Sequence, residues 1–180
     1  MERIYRQMDK YPYEIILIQH CQSEHHVNYM SGGWTDTPLT QLGKKQAQKI
    51  GNRLKTGKKI ENYVLYSSDL LRANQTAEII GNIIGLQSIL EPNLREINTG
   101  IAAGKTQAEA DLLRNPQETT RFDLDYRLFP QGESWREFFI RVSHCMNHLL
   151  KSQEKNMIIV THGGVVANIV AWWLKFNVSM

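Results

Sequence analysis

The stretch EIILIQHCQS (Glu14–Ser23) decides the fold, because it joins a short apolar run to a polar loop that begins with a histidine. Such a run, Glu14–Ile18 here, is typical of a buried strand in a parallel sheet. A second run, Met157–Val160 (MIIV), ends in the same way, with His162 two residues later. Because ligands in open α/β sheets bind outside the carboxyl ends of the strands, we expect His20 and His162 to meet at one site.

Outward from these two strands, short apolar runs alternate with longer amphipathic ones. This alternation predicts an α/β fold with three layers, a mostly parallel sheet carrying helices on both faces. Two further strands are predicted at Tyr63–Ser67 and Ser88–Leu90. Residues 117–131 have no clear period and are interpreted as an insertion or lid. Helices are predicted from a Thr40 cap onward, from Asp69 to about Gly85, from Lys105 to about Arg114, over Glu133–Gln153, and from Gly163 to near Phe176.

The length of 180 residues suits a single domain, expected to span the whole chain. A net charge of +3, from 21 basic and 18 acidic residues, is mild and scattered, so no nucleic-acid or membrane partner is expected. The two cysteines, Cys21 and Cys145, form no paired framework. With neither a signal peptide nor a long apolar run, the chain is expected to be cytoplasmic. A homodimer is considered beside a monomer.

A third element points to phosphate. Arg72 lies about one turn after the strand Tyr63–Ser67, and an arginine there could grip a phosphate through two hydrogen bonds. The alternative is a solvated helix charge that pairs with Asp69 or Glu78. Helix N-termini at the same sheet edge suit an anion, and the Gly163-Gly164 pair would let the backbone approach it closely.

Six blocks, in order, carry a resemblance to a known family. They are QHCQS (Gln19–Ser23), WTDTPLTQLGKKQA (Trp34–Ala47), SSDLLRANQTA (Ser67–Ala77), LREINTG (Leu94–Gly100), PQGES (Pro130–Ser134) and VTHGG (Val160–Gly164). Together they resemble the histidine phosphatase superfamily, the phosphoglycerate-mutase-like family, from about Glu14 to the end of the chain. The resemblance implies the phosphoglycerate-mutase-like fold.

The resemblance also implies roles for individual residues. His20 would attack the phosphoryl group and become a phosphohistidine, and Glu96 would donate a proton to the leaving oxygen and then act as base for water. Phosphate would be bound by four residues: Gln19, Arg72, His162 and Gly163. Three more are expected to contact substrate: Ser23, His26 and Thr35. No cofactor is implied. The spacing of His20, His25 and His26 suits no standard zinc arrangement, so no metal is expected.

The chain departs from the family pattern in three places. Gln19 stands where the family has a phosphate-binding arginine, Cys21 replaces a glycine, and the stretch after Glu96 differs from the relatives. Lys105 and Arg95 are candidates for the missing charge. The family's final strand is expected to be absent, which would leave an unpaired sheet edge or a place for a partner chain.

These features predict a phosphomonoester phosphatase that acts on a small phosphorylated metabolite, with weakened activity. Two alternatives stay open. One is phosphotransfer of the phosphoglycerate-mutase type. The other is a non-catalytic phosphate-binding protein that retains the fold, an alternative motivated by Gln19 and Cys21.

Overall fold

The computed structural model describes residues 13–57, 60–117, 123–151 and 156–176, and a parallel four-stranded sheet forms its centre. The strands are β1 (Glu14–Gln19), β2 (Tyr63–Ser67), β3 (Ser88–Leu90) and β4 (Asn156–Thr161), in the order β1-β4-β2-β3. The register pairs Gln19 with Thr161 and Val160 with Ser67. The carboxyl ends of β1, β4 and β2 are therefore level, and the residues that follow them share one edge of the sheet.

Helices cover both faces of this sheet. They are α1 (Glu24–Val27), α2 (Gln41–Gly57), α3 (Leu71–Ile84), α4 (Gln107–Asp111), α5 (Trp135–Lys151) and α6 (Gly163–Trp173). Because side chains alternate along a strand, Met157 and Ile159 pack against α5 and α6, whereas Ile158 and Val160 pack against α2 and α3. The three-layer architecture expected from the sequence is confirmed.

The helix expected from Lys105 to about Arg114 is wrong in its extent. The helix α4 covers only Gln107–Asp111, because Thr106 caps it: the Thr106 hydroxyl accepts a hydrogen bond from the N–H of Glu109. Leu112 directly after it is 87% exposed, so no apolar face continues the helix. By contrast, the Thr40 cap of α2 is confirmed by a 3.0 Å hydrogen bond from the N–H of Gly43.

The segment expected to be an insertion or lid lies partly outside the described residues, which omit 118–122. In its described part, Phe129 is buried and packs with Ala102 and Ala110 in a small cluster. The hydroxyl of Tyr126 donates to the carbonyl of Asn115 at 2.6 Å. This part of the segment is therefore attached to the loop that precedes it.

The outer edge of β1 pairs with no strand of the described ranges, and β4 is the last strand in them. Beside this edge lies an apolar groove of about 230 Å³, lined by Ile15 and Leu17 of β1 and by Ile169, Val170 and Trp173 of α6. Within the described residues, no strand follows α6, and the expected absence of the family's final strand stays a prediction.

Candidate active site

His20 follows β1 directly, and its ring is held in one tautomer. Its backbone N–H donates to the carbonyl of Thr161 at 2.8 Å, which extends the pairing of β1 with β4. Its ring Nδ1 lies 2.8 Å from the carbonyl oxygen of Cys21. A carbonyl oxygen can only accept, so the ring proton is on Nδ1 and the lone pair is on Nε2. Burial lowers the pKa of His20 to about 4. The imidazole is therefore neutral at pH 7, with Nε2 as a nucleophile.

Arg72, in the first turn of α3, faces that nitrogen. Its Nε donates to Nε2 of His20 at 3.1 Å, while Nη1 and Nη2 donate to the carbonyl oxygens of Thr35 and Gly33 at 2.7 and 2.8 Å. The side chain is 1% exposed, and burial lowers its pKa to about 10, so it remains a cation at pH 7. Three of the five N–H groups of the guanidinium are used in these bonds, which leaves two for an anion.

His162 ends β4 and is fully buried, with its ring centroid 5.0 Å from that of His20. Its Nε2 lies 2.8 Å from the hydroxyl of Ser68, and that hydroxyl already accepts the N–H of Leu70 at 3.3 Å. The Ser68 hydroxyl can donate its proton to Nε2 of His162. In that tautomer, the His162 proton is on Nδ1. Nδ1 is buried without a partner among the described residues, so it suits a phosphoryl oxygen.

Glu96 approaches the same edge from the loop after β3. One carboxylate oxygen accepts the N–H of Ile97 at 2.9 Å, and the other accepts the N–H of Gly164 at 3.0 Å, in the first turn of α6. A Cβ on Gly164 would lie 2.3 Å from the Glu96 carboxylate, so glycine is required for this contact. Glu96 is half-buried, and its charge raises the pKa of Arg72, against the larger effect of burial. It can therefore exchange protons beside the cation that faces His20.

The short helix α1 places two further histidines, His25 and His26, beside the ring of His20. The N–H of Ser23 donates to Nδ1 of His26 at 3.1 Å, which leaves the His26 proton on Nε2. The exposed His26 ring stacks on that of His20, with centroids 5.5 Å apart. Ser23 and Thr35, expected to contact substrate, are both buried. The Ser23 hydroxyl contacts the histidine rings, and the Thr35 hydroxyl accepts the N–H of Gly104. These two residues support the loops.

Gln19 and Cys21, which flank His20 and differ from the family pattern, have different surroundings. The exposed side chain of Gln19 lies beside Gly163, with its amide nitrogen 3.5 Å from where a Cβ of residue 163 would be. The Cys21 side chain packs with Leu39 and Ala47 under α2 and is 7% exposed. Burial raises the pKa of the Cys21 thiol. Its side chain is therefore part of the core, while Gln19 faces the entrance.

Arg95 does not replace the missing charge. Its guanidinium donates twice to the carboxylate of Asp69, at 2.7 and 2.6 Å, and lies 4.8 Å from the centroid of the Trp34 ring. This ion pair also excludes the alternative in which Asp69 pairs with Arg72. Lys105 is exposed and is attached to the site loop through its carbonyl, which accepts the N–H of Ser31.

Among the described residues, no group of three or more histidine, cysteine, aspartate or glutamate side chains could hold a metal ion. The sequence did not predict three groups that hold the site residues: the Ser68 hydroxyl at His162, the Gly33 carbonyl at Arg72 and the Gly164 N–H at Glu96. Ser68 lies inside the quoted block that contains Arg72, and its position directly after a strand was the available signal. The other two act through the backbone, which no residue type reveals.

The chain is similar to known proteins over most of its length. The profile of the histidine phosphatase superfamily, branch 1, matches residues 15–180. The probable phosphoglycerate mutase GpmB of Proteus mirabilis is 34% identical over 156 residues, which cover 83% of this chain and 69% of that protein. The phosphoglycerate mutase-like protein 4 of Arabidopsis thaliana is 30% identical over 161 residues, covering 87% and 69%. The structure of mycobacterial glucosyl-3-phosphoglycerate phosphatase with VO3 superposes with a TM-score of 0.75 at 28% identity, covering 92% and 83%.

Proposed function

The chain belongs to the histidine phosphatase superfamily, and we propose that it is a phosphatase that hydrolyses small phosphomonoesters through a phosphohistidine formed on His20. The observation that carries the mechanism is the fixed form of His20. Its Nδ1–H is bound to the Cys21 carbonyl, so that its Nε2 lone pair faces the buried cation of Arg72. A neutral imidazole held in this orientation is a competent nucleophile at neutral pH.

In the first step, Nε2 of His20 forms a bond to phosphorus while the bond between phosphorus and the ester oxygen breaks. Arg72 moves its Nε–H bond from His20 to a phosphoryl oxygen, and its two remaining N–H groups and the Nδ1–H of His162 bind the others. Cationic and neutral donors held in a buried site stabilise the charge that develops there. Protonated Glu96 gives its proton to the leaving oxygen, which departs as an alcohol.

In the second step, the Glu96 carboxylate takes a proton from a water molecule as that water attacks phosphorus. The bond between phosphorus and Nε2 breaks, which releases inorganic phosphate and restores neutral His20. Gln19, Gly163 and His26 contribute hydrogen bonds at the entrance, where the amide of Gln19 lies beside Gly163 and the Nε2–H of His26 points outward. Gln19 carries no charge, so weakened phosphate binding is part of this proposal.

The test is turnover of an aryl phosphate by the purified chain, together with trapping of the covalent intermediate. The unchanged protein should release phosphate and form a phosphoenzyme that is stable in alkali and labile in acid. His20→Ala should abolish both. His148→Ala, an exposed histidine in the last turn of α5, is the matched control and should leave both unchanged.

Two results would contradict the proposal. Phosphate binding without turnover or phosphoenzyme would instead identify a non-catalytic phosphate-binding protein. Transfer of the phosphoryl group to a second hydroxyl of a phosphorylated glycerate, faster than to water, would identify a mutase. The relatives named as mutases and the structure named as a phosphatase share the fold. The rate of phosphoryl transfer to water must therefore be measured against the rate of transfer to a second hydroxyl.

We also propose that residues 1–180 form one domain, that the protein works in the cytoplasm, and that a homodimer is an alternative to a monomer. Cys21 and Cys145 are buried and unpaired, which suits a reducing compartment. Within the described ranges, no helix has the length and apolar character needed to cross a bilayer. Light scattering of the purified chain distinguishes monomer from dimer.

A further inference from the structure

We infer that Arg141 and Glu133 form a positioning pair for Glu96, so that this ion pair sets the rate of proton donation to the leaving group. Arg141 lies on α5 and Glu133 lies in the loop before that helix. Among the described residues, no hydrogen bond joins either side chain to His20, Arg72 or His162. Burial and then neighbouring charges, that of Arg141 included, lower the pKa of His162, and Arg141→Lys keeps this charge. The inference rests on the proposed role of Glu96 as proton donor.

The guanidinium of Arg141 binds the backbone of the segment that carries Glu96. Its Nη1 donates to the carbonyl oxygens of Asn93 and Arg95, at 2.7 and 3.0 Å, and its Nη2 donates to that of Glu96 at 3.1 Å. Three carbonyl groups within four residues therefore point at one side chain. Only Pro92–Leu94 of this segment forms a short 3-10 helix, and the Glu96 carbonyl also accepts the indole N–H of Trp34 at 2.8 Å. Arg141 is the side chain that joins all three carbonyls, so it contributes to the path of the segment.

Glu133 binds both Arg141 and the backbone that follows Glu96. Its carboxylate accepts from Nε and Nη2 of Arg141 at 2.7 and 2.8 Å, and also from the N–H of Asn98 at 2.8 Å. The N–H of Glu133 donates to the Asn98 carbonyl at 2.9 Å. The pair thus holds the chain both before and after Glu96.

All five N–H groups of Arg141 are used in these contacts: one on Nε, two on Nη1 and two on Nη2. The side chains of Arg141 and Glu133 are only 16% and 17% exposed. A lysine has three donors on a single atom and cannot reproduce this planar fork. Arg141→Lys therefore retains the charge and removes the geometry.

The expected consequence is selective for proton donation. If the backbone of Glu96 shifts, its carboxyl loses alignment with the leaving oxygen, while the phosphate-binding residues stay in place. A misplacement of about 1 Å can cost on the order of 100-fold in rate. An alkyl leaving group needs the proton, whereas a nitrophenolate leaves without it.

The experiment compares an alkyl phosphate with 4-nitrophenyl phosphate for Glu96→Gln, Arg141→Lys, Glu133→Gln and the double variant Glu96→Gln/Arg141→Lys. For Arg141→Lys we expect kcat/KM on the alkyl ester to fall roughly 10- to 100-fold, with kcat/KM on the aryl ester within about 2-fold of the unchanged protein. All losses are compared as kcat/KM, because kcat/KM reports on the first step, whereas the second step, in which Glu96 acts as base, is common to both esters. Glu96→Gln should show the same preference, with a larger loss. Arg136→Lys, on the same helix and paired with Asp125, is the control and should alter neither ester.

The double variant separates a positioning role from a merely structural one. If Arg141 acts through Glu96, the double variant loses no more alkyl turnover than Glu96→Gln alone. Equal losses on both esters for Arg141→Lys and Glu133→Gln, or losses that multiply in the double variant, would overturn the inference. Equal losses on both esters for Glu96→Gln would overturn the proposed proton donor itself, and the inference with it.

Discussion

The two sides of the candidate active site are held in different ways. On the side that we propose binds the phosphoryl group, called the phosphoryl side (His20, Arg72 and His162), the side chains are buried and bound to one another, to the backbone or to Ser68. On the side that we propose faces the leaving group, called the leaving-group side (Glu96), the side chain is half-buried and bound to two backbone N–H groups. Burial keeps the imidazoles neutral, whereas Glu96 remains partly accessible to solvent.

The largest effect is expected from breaking the phosphoryl side with Arg72→Lys. Lysine cannot bind the Gly33 and Thr35 carbonyls and a phosphoryl oxygen at the same time. Loss of a preorganised donor costs on the order of 100- to 1000-fold in kcat, and the loss should be equal for alkyl and aryl phosphates. Arg114→Lys, in an exposed pair with Asp111, is the control. A loss confined to alkyl esters would contradict the division into two sides.

A smaller effect is expected on the leaving-group side from Gly164→Ala. The new Cβ would overlap the Glu96 carboxylate, 2.3 Å away, and must displace it. We expect kcat/KM for the alkyl phosphate to fall by roughly 100-fold, with kcat/KM for the aryl phosphate much less affected. Gly57→Ala, where the new Cβ meets only the Arg53 side chain at 4.0 Å, controls for the added methyl group. Unchanged alkyl turnover would show that the contact is unimportant.

A positive charge restored on the phosphoryl side should raise activity on both esters. In Gln19→Arg, a guanidinium beside Gly163 would add a charge-assisted hydrogen bond to phosphate, worth about 1.5–3 kcal/mol. By transition-state arithmetic, kcat/KM should rise roughly 10-fold or more on both esters. Gln48→Arg, exposed on α2, adds the same charge elsewhere and should have no effect. A fall in activity would indicate that Gln19 is adapted to this site.

The smallest effect concerns stability in acid and belongs to the buried histidines. Burial lowers the pKa of His20 to about 4 and of His25 to about 3, below the value of 6.5 for an exposed histidine. As pH falls below 6.5, the unfolded chain takes up protons that the folded chain does not, so stability decreases by up to about 1.4 kcal/mol per pH unit for each histidine.

Urea unfolding between pH 7 and pH 5 measures this slope. His25→Gln should make it shallower by roughly 1 kcal/mol per pH unit on average over this range, because one buried histidine is removed. His148→Gln, at an exposed position, should not change it. An unchanged slope in His25→Gln would show that His25 takes up protons equally in both states.

The phosphoryl side was largely predictable from the sequence. His20 and His162 each directly follow a strand, and strand ends in a parallel sheet meet at one edge. The strand before His162 is buried as expected, whereas in β1 only Ile18 is buried, because β1 lies at the edge of the sheet. Arg72 was placed correctly near them, although only the structure excludes its pairing with Asp69, which binds Arg95. Glu96 was identified only through resemblance, because a carboxylate in a loop has no pattern of its own.

What the sequence by itself determined is local: the β-branched runs that form strands, the caps that begin helices, and the order of the motif blocks. The tertiary structure decided which nitrogen of His20 and of His26 is protonated, the burial of Ser23 and Thr35, and the five bonds by which Arg141 joins Glu133 to the segment of Glu96. Arg141 and Glu96 are 45 residues apart in the chain. Hydrogen bonds act over about 3 Å, so contacts between distant segments exist only after packing has set their separation.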